Sequence, residues 1–73
     1  MKLIRHQITK EFLRENGEWT RDRTLACDFS GSTEAIYAVL KYKLSDVEVV
    51  LQFGESPSDR YDATFPVATS FKN

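Results

Sequence analysis

Residues 28–53 read DFSGSTEAIYAVLKYKLSDVEVVLQF, and the way this stretch divides into helix and strand decides the fold. Ser30, Ser32 and Thr33 are residues whose side-chain oxygens accept a hydrogen bond from the unpaired N–H groups at a helix start. Glu34 then falls in the first turn, where a negative charge suits the positive end of the helix dipole. Ile36, Val39, Leu40 and Leu44 follow at spacings of three and four, with Ala35 alongside, which predicts an amphipathic helix over residues 33–44. A strand is the competing reading, because Ile36, Ala38, Leu40, Tyr42 and Leu44 also alternate. It would turn Val39 away from its apolar neighbours, use alanines that suit strands poorly and leave the Ser-Thr-Glu start without a role. The helix is the better account, and Leu40 is expected in the middle of its buried stripe. Ser45 and Asp46 break the pattern. Val47, Val49, Leu51 and Phe53 then share one face of a strand, which Gly54 ends.

On the N-terminal side, residues 2–14 form one long extended candidate. Ile4, His6, Ile8, Lys10, Phe12 and Arg14 lie on one side under strict alternation. Lys10 fits a core poorly, so a bulge near Thr9 is expected. Asn16-Gly17 is a hairpin signal, because both residues tolerate positive φ, and Glu18, Trp19 and Thr20 begin a return strand. Residues 20–24 hold no apolar side chain and read as an exposed turn. Leu25, Cys27 and Phe29 lead into the helix. Beyond the central stretch, residues 54–59 are turn-rich. Tyr61, Ala63, Phe65 and Val67 alternate in a last strand that Pro66 confines to an edge. Residues 68–73 are expected to fray, with Phe71 free to dock.

A helix with one apolar stripe needs a sheet face to cover. The expected fold class is therefore α+β, ββαββ, with a four-stranded, mostly antiparallel sheet in the order 2-1-3-4 and one helix packed on one face. The whole chain, residues 1–73, makes a single small domain. Charge supports the neighbourhood of the first and third strands, since residues 1–14 are mainly basic and residues 46–62 mainly acidic. Opposite charges across adjacent strands are favourable, and Arg5 opposite Glu48 is the expected pair.

Composition narrows the function. The net charge of −1 argues against non-specific nucleic-acid binding, which needs a basic surface. No apolar run approaches the roughly 20 residues that span a bilayer, so no membrane association is expected, and no secretory signal is read at the start of the sequence. The single cysteine, Cys27, forms no internal disulfide, and a reducing, cytoplasmic location is expected. One His and one Cys fall short of a zinc ligand set. Glu55, Asp59 and Asp62 match no calcium loop and read as a solvated acidic loop. No cofactor is expected. His6 reads as a sheet histidine and Cys27 as a small core residue, whose thiol Asp28 would hold protonated.

The leading expectation is a non-enzymatic interaction module of adaptor or inhibitor type, binding a protein partner or itself. A small core and a candidate edge strand support it. The expected partner-binding residues are Trp19, Arg21 and Arg23 at the hairpin end, Tyr37 and Lys41 on the helix, and Arg60 after the acidic loop. Trp19 has two readings, a cap on the end of the core or an exposed contact residue. An enzyme or ligand-binding domain using His6 and Cys27 is the alternative. A weak nucleic-acid binder using Lys10, Arg14, Arg21 and Arg23 is the second alternative.

Overall fold

The computed structural model describes residues 1–29, 31–54, 58 and 60–67. Its five strands are β1 (Lys2–His6), β2 (Phe12–Leu13), β3 (Trp19–Thr20), β4 (Val47–Phe53) and β5 (Tyr61–Pro66), with one helix, α1 (Ser32–Lys41), between β3 and β4. The sheet order is β3-β2-β1-β4-β5, antiparallel throughout. The α+β class holds. The four-stranded ββαββ order does not, because residues 2–14 form two strands instead of one. Ser30, the acidic Glu55 and Asp59, and residues 68–73 lie outside the described residues.

The break falls where Lys10 was out of place. Gln7 to Lys10 reverse the chain, with His6 N–H donating to Glu11 O at 2.7 Å and Lys10 N–H to His6 O at 2.9 Å. Lys10 adopts φ 64°, the left-handed position of a hairpin loop. A bulge would have kept the strand running, whereas this loop folds Phe12 back to pair with Arg5. The next reversal is the one signalled by Asn16-Gly17. Arg14 N–H donates to Glu18 O, and Gly17 takes φ 87°. A Cβ on Gly17 would lie 2.7 Å from the Tyr42 ring, so glycine serves both the turn and the close approach of the helix end.

Strand register sorts side chains onto two faces. Ile4, Leu13 and Val47 lie on one face, buried against Ala35, Ala38 and Val39 of α1, with Trp19, Phe29, Leu44, Val49 and Val67 around them. The helix thus presents its alanines and Val39 to the sheet. Leu40, expected at the centre of the buried stripe, is exposed, and so is Ile36. Helix capping also differs. Gly31 is the N-cap and makes no side-chain bond, while Lys43 and Leu44 donate to Leu40 O and Val39 O. That pair of bonds is a Schellman motif with Lys43, at φ 51°, in the place usually taken by glycine.

The other face is not bare, as a sheet with one apolar face would be. Leu3, Phe12 and Val50 are buried there with Ala26 packed on them. The segment expected as an exposed turn supplies this cover. Asp22 caps a short 3-10 turn, Arg23–Leu25, by accepting from Thr24 N–H. The Arg23 guanidinium sits 4.9 Å over the Phe12 ring. The chain then passes from the end of β2, where Cys27 N–H donates to Leu13 O, to the start of β1, where Phe29 N–H donates to Lys2 O and Lys2 N–H to the Asp28 carboxylate. Phe29 emerges on the helix side. Arg5 and Glu48 are directly paired, with Arg5 Nε 2.7 Å from Glu48 Oε2, as the charge pattern predicts.

Candidate interaction surface

Beyond the helix, the sheet face formed by β4 and β5 carries Val49, Leu51, Phe53, Tyr61, Ala63 and Phe65, because their alternate positions all point to the α1 side. The helix lies over the β1 end of the sheet and leaves this half uncovered. Phe53, Tyr61 and Phe65, with Ile36 and Leu40 on the flank of α1, are each 43–64% exposed. Phe53 and Tyr61 stack with ring centroids 5.1 Å apart. Ser32, Ile36, Val49, Leu51, Phe65, Pro66 and Val67 line an open cleft of about 510 Å³ between helix and sheet. Scattered exposed apolar residues are ordinary, but large ones gathered on one side are not.

The residues singled out from the sequence fall elsewhere and do not converge. Trp19 is half-buried, packs against the helix-side core and meets the His6 ring edge-on at 5.5 Å. Arg21 is exposed. Arg23 reaches across the second face to Gln52 Oε1 at 2.6 Å and to both carboxylate oxygens of Asp62 at 2.9 and 3.1 Å. Arg60 is exposed just before β5. Tyr37 and Lys41 are exposed on α1 and do come together, along a second cleft shared with Cys27, Phe29 and Tyr42. Lys10 is exposed, 3.9 Å from Glu48, and Arg14 is half-buried in the second hairpin.

His6 and Cys27 have structural engagements of their own. His6 Nδ1 accepts from the N–H groups of Ile8 and Thr9, which closes the first loop. Burial pushes the Cys27 thiol above its ordinary pKa, with Glu15 and Asp28 adding to the shift, so the thiol form is favoured at neutral pH. Among the described residues, no group of three or more His, Cys, Asp or Glu is placed to hold a metal ion. None of their helices is long and apolar enough to cross a membrane.

The Arg23 hydrogen bonds hold the Asp62 carboxyl below its ordinary pKa, with smaller help from the charges of Arg23, Arg60 and Arg5. A depressed folded-state value contributes stability above the unfolded value of about 4 that is lost as pH falls through the folded value. Thermal melts below about pH 4 should therefore show a steeper loss in the wild type than in Asp62→Asn. Equal slopes would mean that the ion pair contributes nothing to acid stability.

No family model, no curated protein and no solved structure matches the chain.

Proposed function

We propose that this chain is a non-enzymatic protein-interaction module that associates, with a protein partner or with itself, through the apolar side of β4 and β5 and the adjoining flank of α1. The supporting observation is the gathering of Ile36, Leu40, Phe53, Tyr61 and Phe65 on one side of a very small domain. With aromatic side chains presenting about 150–250 Å² each, the exposed portions amount to roughly 500 Å², toward the upper end of the largest patches found on monomeric proteins. The engagement of His6 in loop closure and the raised thiol of Cys27 favour an interaction role over catalysis by that pair.

The test is the pair of substitutions Leu40→Ser and Phe65→Ser, made together. Both side chains are more than half exposed, so the melting temperature should change little. Self-association by sedimentation, and binding of proteins captured from the source cells, should be lost. A folded double variant that keeps every association of the wild type would overturn the proposal.

A further inference from the structure

We propose that two copies of the chain join through the outer edge of β5 in one antiparallel register, with Ala63 opposite Ala63 of the partner subunit, to make a continuous ten-stranded sheet. This rests on the reading of the chain as an interaction module, and it specifies the partner and the geometry.

Among the described residues β5 pairs only with β4, and no strand lies along its other edge. Val67 N–H donates to Val47 O at 3.0 Å, which fixes the alternation of the ladder. Tyr61, Ala63 and Phe65 turn their backbone groups toward β4, while Arg60, Asp62, Thr64 and Pro66 turn theirs outward. Pro66, which has no N–H, stands where a proline belongs on an edge. The sheet's other edge, β3, is two residues long and too short for a comparable ladder. Charged side chains commonly keep strands away from an edge. Here the Asp62 carboxylate is already paired with Arg23 of its own copy, so the outward run from Asp62 to Pro66 carries no uncompensated charge.

A second copy fits this edge in one way. A two-fold axis perpendicular to the sheet pairs outward residues with outward residues. Centred on Asp62, it sets the two Asp62–Arg23 ion pairs directly against each other and Tyr61 opposite Ala63, with no aromatic pair across the seam. Centred on Thr64, it puts Asp62 opposite Pro66 and leaves the Asp62 carbonyl of each copy without a donor. Centred on Tyr61, it pairs only residues 60–62. Centred on Ala63, it sets Asp62 opposite Thr64, so that these two positions exchange four backbone hydrogen bonds across the seam, and Pro66 meets only Arg60, which lies outside the strand. On the apolar side the same register places Tyr61 opposite Phe65 of the partner subunit, a favourable cross-strand aromatic pair. The pairing consumes both long edges and closes with two-fold symmetry, which prevents further growth.

The register predicts a cross-link. At the seam Ala63 and its counterpart form a non-hydrogen-bonded pair, whose Cα atoms lie about 4.5 Å apart, within reach of a disulfide. In a Cys27→Ser background, Ala63→Cys should oxidise to a covalent dimer. Thr64→Cys should not, because its symmetry mate lies beyond the roughly 7 Å limit. The Thr64 N–H makes no bond to β4, so Thr64→Pro should leave the circular dichroism unchanged. It should weaken the dimer about tenfold or more in sedimentation equilibrium. Preferential cross-linking of Thr64→Cys would overturn the register. A wild type that is monomeric at all concentrations would overturn the dimer, and the capture experiment with Leu40→Ser and Phe65→Ser would still decide the interaction-module reading. A dimer that survives Thr64→Pro but not those two substitutions would keep the apolar surface and remove the strand edge.

Discussion

Ile4→Ala should lower the free energy of unfolding by about 2–5 kcal/mol. Ile4 is fully buried on the central strand, opposite Val49 of β4 and clustered with Leu13, Val47, Ala35, Ala38 and Val39. β1 has a paired strand on each side, so its neighbours have little freedom to collapse into the space left by the lost methyl groups. A domain of this size has a total stability of about 5 kcal/mol or somewhat more, so the variant is expected to be largely unfolded at moderate urea. Leu40→Ala removes a similar number of carbons from a side chain that is mostly in water, and should cost about 1 kcal/mol or less. Urea titrations of the two variants measure the contrast. Equal midpoints would mean that α1 faces the sheet with its Ile36–Leu40 flank instead of with Ala35 and Val39.

Glu48→Ala should be the most damaging polar substitution. Glu48 is buried on the second face of the sheet, beside Leu3 and Val50, and its carboxylate holds Arg5 at 2.7 Å. Its removal leaves Arg5, whose side chain is only 20% exposed in the intact protein, without its carboxylate, at an expected cost of about 2–4 kcal/mol. That cost is mainly the penalty of a stranded charge. Replacing both partners with apolar residues, Arg5→Met together with Glu48→Leu, should therefore recover stability to within about 1 kcal/mol of the wild type. A four-member denaturation cycle measures this. If the double variant is as unstable as the single one, the pair contributes through something other than charge compensation.

Several elements were legible from the residues because one local signal and one long-range signal agreed. The helix was visible in its start chemistry and its three-four spacing. The Arg5–Glu48 pair followed from the opposite charge of two blocks that the topology brought together. The side of the helix that meets the sheet was not legible. Ala35 and Val39 are separated by four residues, as are Ile36 and Leu40, and the two rows adjoin around the helix. Hydrophobic size points to the second row, whereas close approach to a strand favours the first. The break after His6 was hidden because Lys10 occupies a left-handed position where glycine or asparagine would have marked a turn. Arg23 read as a partner-contact residue on an exposed turn, since nothing local shows that the chain around it lies over Phe12 and Val50. The exposed apolar side of β4 and β5 was hidden by the assumption that alternation implies burial. Its aromatic residues alternate correctly, but the helix is too narrow to cover them.

The central place of β1 also imposes an order in time. Lys2–His6 leaves the ribosome before every other element of the sheet, yet its partner on one side is β4, Val47–Phe53. Until Phe53 has emerged, Leu3 and Ile4 can be enclosed by the β2–β3 hairpin on one side only. Their other flank stays open for the synthesis of some forty residues, including the whole of α1. Translation speed and chaperone access during that interval thus bear most directly on the first strand of the fold.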